Sequence, residues 1–189
     1  MVQALSGRKI AILATDGVEQ AELQQPLAAL RQAGAEIDIV APHGGEIQGM
    51  QHDERGDRIK VGRTLDAARA GDYSALVLPG GIANPDALRV DAAAVAFVRH
   101  FVDAKKPIAV ICHGPWTLIE AGAVKGMEMT SWPSLKTDLK NAGARWVDRE
   151  VVVDRGLVSS RKPDDLPAFC KKMVEEFAEG AHRQRPAAE

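Results

Sequence analysis

The 189-residue sequence has only two cysteines, few aromatic residues (4%) and no excess of basic residues. Two cysteines are too few for a disulfide framework in a chain of this length, so each is expected to be a free thiol. The 24 basic residues are outnumbered by 26 acidic ones, which gives a formal net charge of -2. Because phosphate backbones are bound through clustered Lys and Arg, nucleic acid is not expected as a main partner.

Long apolar runs are also missing. Those that occur, such as Ile108–Ile111, are far shorter than the roughly 18 residues of a membrane helix, and the N-terminus lacks the apolar stretch of a signal peptide. We therefore expect a cytoplasmic protein with no membrane partner. A hydrophobic content of 46% is sufficient for a core, and we expect one domain over residues 1–180 and a frayed tail over 181–189.

Strand-like and helix-like segments alternate along the chain. The alternation predicts an α/β protein of flavodoxin-like pattern, an open and mostly parallel sheet with helices on both faces. The region 42–72 is expected to form loops with one short strand at Ile59–Val61. The other predicted strands are Lys9–Ala14, Glu36–Val40, Ala75–Leu78, Pro107–Ile111, Met127–Trp132 and a hairpin over 151–158; the predicted helices are Gln20–Ala33, Ala92–Ala104, Pro115–Ala121, Leu135–Ala142 and one that starts at Asp164–Pro167.

Three loops follow predicted strands, at the sheet edge where open parallel sheets bind their ligands. They are Asp16–Glu19, Pro79–Gly81 and Cys112–Pro115. Cys112 falls between a strand and a helix, the position of an elbow nucleophile, and the helix dipole is expected to lower the pKa of its thiol. The alternative is a packed core thiol. Cys170 lies in a late amphipathic helix and is expected to be structural or at the surface.

The other two loops could complete a site around Cys112. The backbone N–H groups of Gly81 and His113 are candidates for an oxyanion hole, although Pro79–Gly81 could also be a plain turn. The Glu19 carboxyl group would face the sulfur, and since two like charges repel, it would have to be protonated. Alternatively, Glu19 and Glu22 are simply acids in the first helical turn, where the helix dipole favours a negative charge.

Two further constellations give weaker signals. Neighbouring residues in a turn generally point in different directions, which argues against His113 as a base for Cys112 in the same chain. The cluster His43, Glu46, His52, Asp53 and Glu54 matches no standard metal-ligand spacing and is expected to be a polar loop. The sequence contains no glycine-rich nucleotide-binding loop, so we expect no cofactor and no metal.

Several motifs together carry a family resemblance. They are Ala109-Val-Ile-Cys-His-Gly-Pro115, Asp16-Gly-Val-Glu19, Ala75-Leu-Val-Leu-Pro-Gly-Gly81, Asn141-Ala-Gly143, Glu150-Val-Val-Val-Asp154 and Ser160-Arg-Lys-Pro-Asp-Asp-Leu-Pro-Ala-Phe169. In this order the chain resembles the ThiJ/PfpI superfamily, on the branch of PfpI-type intracellular proteases and protein deglycases.

The resemblance implies Cys112 as nucleophile, Glu19 as its protonated partner and His113 as the catalytic histidine. It also implies homodimers or hexamers, in which an acid near Asp86 of a neighbouring subunit orients the histidine. Here the loop reads Ile82-Ala-Asn-Pro-Asp86, with Asp where the family has Glu, and the shorter side chain puts the triad in question.

The same resemblance implies three possible activities. The leading expectation is a cofactorless enzyme that acts on small carbonyl compounds or glycated protein, as a methylglyoxal or glyoxal deglycase or a glyoxalase-like stress-protection hydrolase. The second is an oligomeric intracellular cysteine peptidase, which additionally needs a competent base and a proton donor for the leaving amine. The third is a non-enzymatic stress protein in which Cys112 is a redox sensor.

Overall fold

The computed structural model describes residues 3–181. The strands are β1 (Lys9–Leu13), β2 (Val18–Glu19), β3 (Glu36–Ala41), β4 (Glu46–Gln51), β5 (Glu54–Lys60), β6 (Arg63–Thr64), β7 (Ala75–Leu78), β8 (Ile108–Ile111), β9 (Glu128–Met129), β10 (Arg145–Trp146), β11 (Val151–Asp154) and β12 (Leu157–Ser160). The α-helices are α1 (Gln20–Gln32), α2 (Ala83–Val90), α3 (Ala92–Asp103), α4 (Pro115–Glu120), α5 (Lys136–Asn141) and α6 (Leu166–Glu179).

The main sheet has the order β11-β12-β8-β7-β1-β3-β6. Every pairing in it is parallel except that of β11 with β12, which form an antiparallel hairpin. Helices pack on both faces. The predicted α/β class and flavodoxin-like arrangement are therefore confirmed.

Alternation along β1 explains how one short strand supports both faces. Ile10 and Ile12 belong to the cluster that includes α1 and α6 residues, whereas Ala11 and Leu13 belong to the cluster of α3 and α4. Because successive side chains of a strand point to opposite faces, an apolar run is the pattern of a strand covered on both sides. The same reasoning applies to β7 and β8, which are buried along their whole length.

The region 42–72 was predicted incorrectly. Instead of loops with one short strand, it contains the β4–β5 hairpin, and β4 also pairs with β2 in a separate three-stranded sheet. Most side chains of β5 are charged and exposed. A strand ladder depends on backbone hydrogen bonds, so it forms here without the apolar alternation that normally signals it.

Two other predictions needed correction. Helix α2 was not expected, although Asp91 follows it and caps the next helix by accepting hydrogen bonds from the N–H groups of Ala93 and Ala94. The strand expected over 127–132 is only β9.

The predicted tail over 181–189 lies outside the described residues except for Ala181. Within residues 3–181, no helix has both the length and the apolar character of a membrane span.

Candidate active site

Cys112 lies in the turn between β8 and α4. Its backbone has a φ of 62°, a left-handed conformation that is rare for a residue other than glycine. The turn is held on both sides, because the Cys112 N–H donates to the Ser160 carbonyl (3.1 Å) and its carbonyl accepts from the Trp132 N–H (3.0 Å). This is the elbow geometry expected from the sequence, and it lifts the side chain above the end of the sheet.

The loop after β7 comes close to this elbow. A Cβ atom on Gly80 would lie 2.5 Å from Glu22 Oε2 and 2.6 Å from Cys112 Cβ, so only glycine fits between the two side chains. Gly81 follows with a φ of 80°. The backbone N–H groups of Gly81 and His113 both donate toward the Cys112 sulfur. The structure thus brings together the two N–H groups proposed for the oxyanion hole.

The buried Asn84 side chain fixes this loop. Its amide nitrogen donates to the carbonyls of Pro79 (3.0 Å) and Gly80 (2.9 Å), and its oxygen accepts from the Thr15 N–H (2.8 Å). One side chain of α2 therefore holds the ends of β7 and β1 in a fixed relation. Its role had no signal in the sequence analysis, because α2 was not predicted.

The carboxyl group beside the Cys112 thiol belongs to Glu22, which corrects the expectation that Glu19 would occupy this place. Glu22 is fully buried in the first turn of α1 and hydrogen-bonds with the thiol. Its Oε2 accepts from the Gly80 N–H at 2.8 Å. A signal was available, because Glu22 shares the buried helix face of Pro26 and Leu30 at i+4 and i+8, where an acid is out of place.

Glu19 lies in the same cavity but is held elsewhere. Residues Val18 and Glu19 form β2, which pairs with β4, and the Glu19 Oε2 accepts a hydrogen bond from the His52 N–H at 3.0 Å. Because the chain is still extended at Glu19, its side chain is directed toward the β4–β5 turn. One helical turn later, Glu22 is directed toward the sheet.

The pKa of Glu22 is raised from its ordinary 4.5 to about 8. Burial is the largest cause and the nearby Glu19 adds to it, whereas the hydrogen bonds from Gly80 and Cys112 oppose the shift. Among the described residues, the second oxygen, Oε1, is fully buried without a partner that meets hydrogen-bond geometry. A neutral carboxylic acid leaves no buried charge unpaired. We conclude that Glu22 carries a proton at neutral pH.

The pKa of the Cys112 thiol also lies above its ordinary value, first because of burial and second because of Glu22; the His113 and Gly81 N–H groups oppose this. Burial of the sulfur thus acts against the lowering expected from the helix dipole, and helix α4 has only six residues. The thiol must consequently lose its proton as it reacts, to a base within reach.

His113 supplies such a base, contrary to the expectation that neighbouring side chains would point apart. Its Nδ1 lies 3.2 Å from Cys112 Sγ, because the left-handed conformation of Cys112 turns the two side chains toward each other. Its Nε2 lies 3.4 Å from Ser134 Oγ. Burial lowers the pKa of His113, which keeps the imidazole neutral and able to accept a proton.

A cavity of about 270 Å³ opens in front of the thiol. This volume suits a small substrate or one end of a larger one. Its lining combines three carboxyl groups and two histidines with apolar side chains. The lining residues are Glu19, Glu22, His52, Asp53, Gly81, Ile82, Cys112, His113, Trp132 and Pro163.

Asp86 does not line this cavity. It lies in the first turn of α2, is 59% exposed and pairs with Arg89 at 3.2 Å. Its predicted role depends on a neighbouring subunit and stays a prediction. Cys170 is partly buried on α6, where burial raises the pKa of its thiol to about 11.

The cluster of 43–54 forms the strands and turn of the β4–β5 hairpin and the loop before it. His43 pairs with Asp16 at 3.1 Å, whereas His52 and Asp53 reach the cavity. Within residues 3–181, no group of three His, Cys, Asp or Glu side chains is arranged to hold a metal ion.

Comparison with known proteins identifies the family of this site. The family description "DJ-1/PfpI family" matches residues 8–176. The chain belongs to the DJ-1/PfpI family. Deglycase PfpI of Pyrococcus furiosus is 42% identical over 166 residues, which cover 88% of this chain and 97% of that protein. A Bacillus subtilis relative, provisionally named cysteine protease YraA, is 42% identical over 170 residues and covers 88% and 96%.

Solved structures of the family share the fold. Drosophila melanogaster DJ-1beta superposes with a TM-score of 0.82 at 28% identity, over 90% of each chain. The curated relatives place this DJ-1/PfpI protein on the PfpI-type branch, among proteins named as deglycase and as protease. The resemblance read from the motifs is thus confirmed.

Proposed function

We propose that this DJ-1/PfpI protein is a cysteine-dependent enzyme that acts on adducts of small aldehydes such as methylglyoxal, as a deglycase or glyoxalase-like hydrolase. The observation that carries the proposal is the convergence of Cys112, Glu22 and His113 at the end of a small cavity, with the Gly81 and His113 N–H groups directed at the same point. It also draws on the deglycase name of a close relative.

The first step follows from the positions of these groups. The Cys112 sulfur forms a bond to the aldehyde carbon, the electron pair of the C=O bond moves to oxygen, and the thiol proton moves to His113 Nδ1. The N–H groups of Gly81 and His113 stabilise the negative oxygen. Protonated Glu22 donates a hydrogen bond beside the sulfur. Because it is neutral, it disfavours neither the charge that develops on sulfur nor that on the oxygen.

The remaining steps need only proton transfers and water. A proton leaves the carbon attached to sulfur and returns to the neighbouring carbon, which converts the thiohemiacetal of methylglyoxal into a lactoyl thioester. Water then cleaves the thioester to lactate and the free thiol. The net change is the addition of one water, without an oxidant or reductant. For an adduct of the aldehyde with an amine, the sulfur displaces the amine from the former aldehyde carbon, and the amine leaves with a proton. The resulting thiohemiacetal then follows the same steps.

A second candidate, an intracellular cysteine peptidase, is favoured by the 3.2 Å contact between Cys112 and His113 and by the name of the Bacillus subtilis relative. A peptide bond has a poorer leaving group and needs the histidine to return its proton to the amine. In the peptidase account, Asp86 of a second subunit orients His113.

Four proteins test the choice: wild type, Cys112→Ala, Asp86→Ala and the matched control Cys170→Ala. We expect wild type and the control to consume methylglyoxal with stoichiometric lactate and to remove the adduct mass from a methylglyoxal-treated peptide. Loss of the nucleophile should reduce both rates by roughly a thousandfold or more. Equal turnover by wild type and Cys112→Ala would refute the proposal.

The same samples separate the alternatives. Cleavage of an untreated peptide that is lost in both Cys112→Ala and Asp86→Ala would identify the peptidase. If neither substrate reacts, but mild peroxide adds two oxygens to wild type and none to Cys112→Ala, the sensor reading is favoured.

A further inference from the structure

The imidazole of His113 lies between two tryptophan rings. The Trp132 ring is stacked on it, with a centroid distance of 5.8 Å and an interplanar angle of 26°. The Trp116 ring adjoins it at 5.2 Å and 57°. Only 4% of the residues in this chain are aromatic, so two of its three tryptophans at one histidine form a marked concentration.

The two tryptophans are placed in different ways, Trp116 by side-chain contacts and Trp132 through its backbone. Trp116 Nε1 donates to Asp138 Oδ2 at 2.9 Å, and the Arg89 guanidinium lies 5.0 Å from the centre of the ring. The Trp132 N–H donates to the Cys112 carbonyl, which ties its backbone to the elbow itself. The Trp116 ring is thus fixed independently of the histidine, whereas the Trp132 ring is 38% exposed and is placed by its backbone and by its stacking on His113. Together the two rings limit the rotation of the His113 side chain.

This restriction decides where the nitrogen atoms of His113 point. In the observed orientation Nδ1 faces Cys112 Sγ at 3.2 Å and Nε2 faces Ser134 Oγ at 3.4 Å. Rotation of the ring by half a turn would replace Nδ1 with a carbon atom and end the contact to sulfur. His113 is only 7% exposed, so the loss of this contact would leave Nδ1 with little access to solvent.

We propose that Trp116 and Trp132 are positioning residues, which hold the His113 imidazole with Nδ1 against the Cys112 sulfur. They supply from within one chain the orientation that catalytic histidines usually receive from an acid. Neither tryptophan exchanges a proton with the substrate. Their effect is on the orientation of His113 and on its access to water.

Other groups near His113 could influence its titration. On the cavity side these are Glu19, Glu22, His52 and Asp53. Arg89 and Asp138 contact the Trp116 indole. Trp132→Ala leaves all of these groups and their contacts in place, so a change in His113 in that variant arises from the aromatic contact. Trp116→Ala also removes the ring that contacts Arg89 and Asp138.

The direct test follows the His113 Cε1–H signal by NMR as a function of pH, with His113→Gln to assign it. Trp132→Ala and Trp116→Ala should shift this signal downfield as the ring current is lost. They should also raise the titration midpoint of His113, because loss of the ring lets water reach the imidazole. The conservative Trp132→Phe should restore both properties. Trp146→Ala is the matched control, because Trp146 contacts Ser131 and Lys136 and not His113.

The activity arm rests on the proposed function. With methylglyoxal as substrate, Trp132→Ala should lower kcat by roughly tenfold or more and alter the pH profile, with recovery in Trp132→Phe. An unchanged His113 signal and midpoint in both alanine variants would overturn the positioning role, as would an equal change in Trp146→Ala. A loss of activity without any change at His113 would also overturn it. An inactive wild type would contradict the proposed function and leave the NMR result valid.

Discussion

Replacement of Glu22 by Gln tests whether a protonated carboxyl group lies buried beside the thiol. Gln has nearly the same shape, and its amide oxygen can accept the Gly80 hydrogen bond that Glu22 Oε2 now accepts. It cannot ionise. The variant therefore keeps the packing of α1 against the Gly80 loop and removes only the titration.

The magnitude follows from the pKa of about 8, raised from 4.5 by burial. A carboxyl group that binds its proton more tightly in the folded state lowers stability as the pH rises, since the unfolded chain releases the proton first. The loss begins near pH 4.5 and is complete above about pH 8. At about 1.4 kcal/mol per pKa unit, it amounts to about 5 kcal/mol in total and about 3 kcal/mol at pH 7.

Urea unfolding of wild type and Glu22→Gln at one protein concentration, between pH 5 and 8.5, measures the effect. The free energies of unfolding of the two proteins should be similar at pH 5. As the pH rises above 5, Glu22→Gln should become progressively more stable than wild type. A repeat in 1 M salt serves as the control, because salt screens surface charges and not a buried carboxyl group. A difference between the two proteins that does not vary with pH would refute the reasoning.

Two further predictions concern access to the thiol, both in a Cys170→Ala background so that only Cys112 reacts. Gly80→Ala places a Cβ atom 2.5 Å from Glu22 Oε2 and 2.6 Å from Cys112 Cβ, and should lower stability by about 1–3 kcal/mol and slow alkylation by iodoacetamide, measured by intact mass. A cationic methanethiosulfonate should modify Cys112 several-fold faster than an anionic one, since Glu19 and Asp53 line the cavity and, among the described residues, no Lys or Arg does. Asp53→Asn should reduce that ratio; a ratio near unity in the parent protein would contradict the charge argument.

Local patterns were sufficient for the central sheet and for the turn that carries Cys112. Runs such as Ala75–Leu78 and Ile108–Ile111 are apolar at every position, which is the pattern of a parallel strand covered on both faces. Cys112 follows such a strand directly and is itself followed by His, Gly and Pro, so the turn could be read from residue types alone.

Regions stabilised by pairing with distant segments could not be read in this way. The β4–β5 hairpin carries charged side chains such as Arg55 and Arg58, and it is stabilised by its backbone ladder and by β2, some 30 residues earlier in the chain. The local pattern of side chains does not indicate pairing between distant segments. The same β2 pairing directs Glu19 away from the thiol.

The sequence by itself determined the α/β class, the family motifs and the turn that carries Cys112, because each depends on residues close together in the chain. Only the tertiary structure decided which acid and which nitrogen face the sulfur. Glu22, and not Glu19, faces the thiol because Glu19 still lies in extended β2 whereas Glu22 lies in the first turn of α1. His113 reaches Cys112 because the elbow adopts a left-handed backbone. The raised pKa values have the same origin, since burial is a property of the folded chain.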